Sequence, residues 1–107
     1  MDTVNSHTSW TLTATFSDEN KAPVAPSSAR YRIDDEASGV VIKGWTTITI
    51  TGPAVDIALS RADNDMHDTN AAEEVRVVTV DYTYGVDKGG DDEYRYALKN
   101  IKGSLKS

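Results

Sequence analysis

Val75-Arg76-Val77-Val78-Thr79-Val80-Asp81-Tyr82-Thr83-Tyr84 is a long run rich in Val and Tyr, side chains that favour extended backbone. Alternation places Val75 and Val77 on one face and Val78, Val80, Tyr82 and Tyr84 on the other. A strand apolar on both faces belongs inside a sheet. A second β-prone run, Tyr94 to Ile101, follows a loop rich in Gly and Asp. The two read as one large hairpin with its tip at residues 85–93, on which the rest of the chain must pack.

Earlier segments repeat the pattern. Trp10, Leu12, Ala14 and Phe16 alternate with polar residues, as do Ala29, Tyr31 and Ile33 with Arg30 and Arg32 turned outward. Val40 to Ile42 leads through Lys43 and Gly44 to Trp45, and a Gly there predicts a bulge that swings Trp45 onto the core. Ile48 and Ile50 alternate within Thr46 to Thr51, and Val55, Ile57 and Leu59 mark a further strand. Pro23, Pro26, Gly39 and Gly52-Pro53 punctuate the connections. About seven strands, with no helix of ten residues required, predict an all-β, immunoglobulin-like (fibronectin type III-like) antiparallel β-sandwich. The sandwich is expected to span residues 9–102, between a flexible N-terminal arm at 1–8 and a C-terminal tail at 103–107.

With 107 residues and 11.6 kDa, the chain makes one domain. Its folded surface should be roughly 5,800 Å² against about 16,800 Å² unfolded, enough burial for a single core. No Cys is present, so no disulfide or thiolate site contributes, and synthesis in a reducing compartment fits. A net charge of -6 and a pI near 4.7 repel phosphate backbones and anionic lipid, so neither nucleic acid nor membrane is expected as a partner. No apolar run is long enough to span a bilayer, and the opening Met1 to Thr8 lacks the apolar centre of a signal peptide.

The loop from Asp63 to Glu74 is the strongest candidate for chemistry. Asp63, Asp65 and Glu74 take the first, third and twelfth places of a Ca²⁺-binding loop, but His67 stands where an oxygen ligand is needed and Asp68 where Gly must turn. A solvated loop is the reading. Asp34-Asp35-Glu36 and Asp91-Asp92-Glu93 are read as solvated turns and not as paired catalytic carboxylates. With His7 in the arm and His67 in the loop as the only His, no catalytic, cofactor or metal residues are assigned and no enzyme is expected. Gly89-Gly90 reads as the flexible hairpin tip. Arg30, Arg32, Arg76 and Arg95 read as cross-strand partners of the surplus acids.

Several stretches together resemble a group of small β-sandwich proteins encoded by tailed phages and prophages. They are Thr13-Ala14-Thr15-Phe16-Ser17-Asp18-Glu19-Asn20 followed by Pro23 and Pro26, Tyr31-Arg32-Ile33-Asp34-Asp35, Trp45-Thr46, Glu74 to Val80, and Glu93-Tyr94-Arg95-Tyr96 with Lys99-Asn100-Ile101. The resemblance covers most of residues 9–101. It implies a non-enzymatic virion or morphogenesis component, made in the cytoplasm of a bacterial host and contacting other phage structural proteins or itself. The alternative from the residues is a carbohydrate- or ligand-binding module using Tyr84 and the loop tips.

Overall fold

In each strand, alternation decides which side chains meet in the middle. The computed structural model describes residues 1–68 and 70–101. Its strands are β1 (Asp2–Asn5), β2 (Trp10–Thr15), β3 (Ser28–Asp35), β4 (Val41–Thr47), β5 (Ala54–Leu59), β6 (Glu73–Thr83) and β7 (Gly89–Lys99). They form two sheets, one of five strands in the order β1-β7-β6-β3-β4 and one of the pair β2-β5. Among the described residues there is no helix, so the all-β expectation holds. The larger sheet is mixed, because β1 runs parallel to β7, and the wholly antiparallel expectation is corrected.

The small sheet pairs Trp10 with Leu59, Leu12 with Ile57 and Ala14 with Val55. Those side chains close over Ala29, Tyr31, Ile33, Val78, Val80, Tyr82, Tyr96 and Leu98 of the larger sheet. Aromatic contacts cross the layers, Trp10 to Tyr96 at 4.7 Å and Phe16 to Tyr82 at 5.0 Å between ring centroids. Two strands cannot cover five. The total surface is 6350 Å², against the roughly 5,800 Å² that mass alone suggests.

The hairpin forms with a tighter tip than expected. β6 and β7 pair from Glu73↔Lys99 to Thr83↔Gly89, and the amide of Tyr84 donates to the carbonyl of Lys88 at 2.9 Å. Gly89 and Gly90 are therefore paired strand residues and not a flexible tip. A Cβ on Gly89 would stand 2.2 Å from the Tyr82 carbonyl oxygen, and one on Gly90 would press on the Tyr82 ring.

The arm at 1–8 also differs. Val4 is buried on the edge of β7, and the amide of Ser6 continues the pairing by donating to the Lys99 carbonyl. With a single apolar side chain aimed at the core, β1 has no periodicity to read. The Thr46 to Thr51 strand is corrected too, since only Thr46 and Thr47 belong to a strand, the end of β4. Residues 102–107, which hold the expected tail, lie outside the described residues.

Candidate functional site

Trp45 does not reach the core. The β3–β4 register jumps from Tyr31↔Thr46 to Ile33↔Lys43, so Gly44 and Trp45 together face Arg32. The bulge expected at Gly44 is present, but it turns the indole to the outer face of the five-stranded sheet. There Trp45 is 42% exposed, with the guanidinium of Arg30 4.1 Å and that of Arg32 5.6 Å from its ring centroid. Cation–π attraction holds the ring against these two guanidinium groups. Val40 and Val41 are exposed beside it on the same edge.

Around the indole runs a ladder of opposite charges. Arg30 donates to Asp81 at 2.9 Å across the β3–β6 register, and Arg32 grips Asp34 with two bonds of 3.0 and 2.8 Å. Arg95 lies near Glu36 and Glu93. Of the four arginines read as cross-strand partners of the acids, Arg30 is one, whereas Arg32 bonds within its own strand and Arg95 lies near Glu93 of its own strand and Glu36 just past β3. Asp81 and Asp91 oppose each other directly. The hydrogen bond that a protonated Asp91 carboxyl donates to Asp81, then a slight desolvation and the negative charge of Asp81, push the Asp91 carboxyl above the usual carboxylate range. The Asp91 to Glu93 run is therefore part of a paired strand and not a turn.

Arg76 is the exception. It points inward, is fully buried, and donates to the carbonyls of Asp63 at 3.1 Å and Asp65 at 2.7 Å and to Glu74 Oε2 at 3.4 Å. It ties the 60–68 loop to the end of the sandwich. Asn64, also buried, adds a second tie: it accepts from Tyr96 Oη at 2.8 Å and donates to the Thr8 carbonyl at 2.7 Å. Burial of its hydroxyl pushes the Tyr96 phenol up to about 12. A loop read as solvated is thus partly internal, because Arg76 and Tyr96, both distant in sequence, supply its partners.

The acids of that loop are turned to separate partners. Asp63 Oδ2 accepts from the Ser60 amide and from Lys43, Asp65 meets His7, and Glu74 Oε1 accepts from the Asp68 amide. Among the described residues no three acidic or His side chains converge as a metal site. An open groove of about 700 Å³ lies where the β3–β4 turn faces this loop, lined by Asp35, Glu36, Ser38, His67, Asp68 and Glu74. Its Ser38 hydroxyl donates to Asp35 Oδ2 at 2.6 Å, alongside the Ser38 amide. That is the geometry of a turn cap, with the hydroxyl bonded to a carboxylate and not to His67. Asp35 was expected in a solvated turn, yet it is 5% exposed. Burial opposes its charge, but Ser38 and the charge of Arg76 outweigh that and hold its carboxyl below the usual range.

Tyr84 is half-buried and stacks on Tyr82 at 6.3 Å, so the aromatic that sequence singled out for binding is largely a core extension. Among the described residues no helix is long and apolar enough to cross a membrane. No family model, curated protein or solved structure matches the chain.

Proposed function

We propose that the chain is a non-enzymatic contact module that binds other proteins through the outer face of its five-stranded sheet, with a virion or its assembly as the setting. The observation that carries this reading is Trp45, a large indole held by the Arg30 guanidinium and left 42% exposed beside Val41 on an uncovered face. Aromatic and Arg side chains supply most of the binding energy where proteins meet. The phage setting rests on the resemblance alone. An immunoglobulin-like fold is supported by the strand order. β7-β6-β3-β4 and β2-β5 follow the G-F-C-C′ and B-E neighbours of variable-type domains.

Mass spectrometry of particles released from a prophage carrying this gene should find the chain. Trp45→Ala should cut its incorporation about tenfold or more while leaving the melting temperature unchanged. Particles free of the chain, or normal incorporation of the variant, sink the proposal. The same exposed indole favours a second reading, a carbohydrate platform in which a sugar ring stacks on Trp45 with Arg30 and Asp81 beside it. Specific glycan-array binding that disappears in Trp45→Ala would establish that reading instead.

A further inference from the structure

Thr47-Ile48-Thr49-Ile50-Thr51 reads the same in both directions. Its alternation predicts a strand, yet β4 ends at Thr47. The segment keeps a strand's side-chain arrangement all the same. Ile48 is buried, Ile50 packs on the core, and Thr49 and Thr51 are exposed. The Ile48 amide still donates to the Ala29 carbonyl at 2.9 Å. Among the described residues nothing hydrogen-bonds to the backbone of Thr49, Ile50 or Thr51.

This segment continues β4, the edge of the five-stranded sheet. Backbone groups of successive extended residues point to opposite sides. Since Ile48 points at β3, the N–H and C=O of Thr47 and Thr49 point away from it, into the unpaired side. A cleft of about 200 Å³ bordered by Thr47, Thr49, Asp56 and Ala58 lies between this side and β5, which pairs with β2 and not with this segment.

We infer that residues 47–51 are a strand completed by the same residues of a second copy of this chain, antiparallel about a two-fold axis at Thr49. That axis sets Thr49 against Thr49, Ile48 against Ile50, and Thr47 against Thr51. Every pair then joins like with like, as an isologous interface requires, and facing Thr side chains favour such a pair. Charge selects the occupant. Each copy carries -6, so two copies repel wherever their acids meet. Gly44 to Val55 holds no charged residue, and Asp56 across the cleft accepts a hydrogen bond from Thr13, so this is an open edge where they can meet. A foreign strand would have to reproduce the Thr/Ile order that the chain's own copy already supplies. The bulges before Thr46 stop the pairing from spreading along β4, so the contact is short and concentration-dependent. The inference rests on the contact reading above and deepens it by naming a partner.

Because the chain has no Cys, one substitution in the full chain tests the axis. Cα atoms of a hydrogen-bonded antiparallel pair, as Thr49 would make with its copy, lie about 5.5 Å apart, within disulfide range. Thr49→Cys should oxidise to a covalent dimer at least about tenfold faster than the exposed control Thr11→Cys. In sedimentation, Thr49→Lys should weaken the native dimer at least about tenfold with its fold retained by circular dichroism. An equimolar mixture of Thr49→Lys and Thr49→Glu should restore the dimer at low salt. A chain monomeric up to about 1 mM, or Thr49→Cys reacting no faster than the control, overturns the inference. A monomer that still needs Trp45 for incorporation sinks self-pairing and keeps the outer-face reading, whereas a dimer whose incorporation is indifferent to Trp45→Ala does the reverse.

Discussion

Replacing Arg76 with Met keeps most of the side-chain volume and removes the charge. Arg76 is fully buried and makes two bonds to loop carbonyls and a longer one to Glu74. It also faces buried Asp35 across the β3–β6 register. The substitution leaves two carbonyls and two buried carboxylates without their cation. Breaking a buried pair by removing one partner costs about 3–5 kcal/mol, since the stranded charge stays desolvated. At about 2.1 cal/mol/K per residue of unfolding entropy, 107 residues turn that into a fall of roughly 13–22 °C in Tm. Urea titration should show the loss as a lower midpoint with an unchanged slope. Glu74→Gln is the comparison, because it keeps an acceptor for the Asp68 amide and leaves Arg76 its carbonyls. It should cost only about 1 kcal/mol. An Arg76→Met loss below about 1 kcal/mol, or one equal to that of Glu74→Gln, would refute the view that this guanidinium pins the loop to the sandwich.

Two further outcomes follow from buried detail. The depressed carboxyl of Asp35 contributes stability that is fully present above its unfolded value, near about 3.9, and is lost as pH falls through the lower folded value. Asp35→Asn should therefore flatten the acid limb of a plot of unfolding midpoint against pH, and an unchanged limb would argue against it. Gly89→Ala drives a Cβ to 2.2 Å from the Tyr82 carbonyl and should cost about 2 kcal/mol or more in urea unfolding, whereas a neutral result would mean that the β6–β7 pairing is looser than described.

Alternation is a local property of an extended chain, so the sequence by itself determined the inward residues of β2, β3 and β5, the two-faced character of β6 and the all-β class. It also flagged the bulge at Gly44, because backbone freedom belongs to the residue. Which way that bulge would throw Trp45 depended on Arg30 and Arg32 of the neighbouring strand, and only pairing brought them under the ring. Asp2–Asn5 became a strand because an edge of β7 stood open beside it, not because of any period of its own. Arg76, Asp35 and Asn64 look like surface residues in sequence, and only the tertiary structure buried them. The reason is that a polar group can leave water when the fold delivers its partners, and those partners lie on segments far away along the chain.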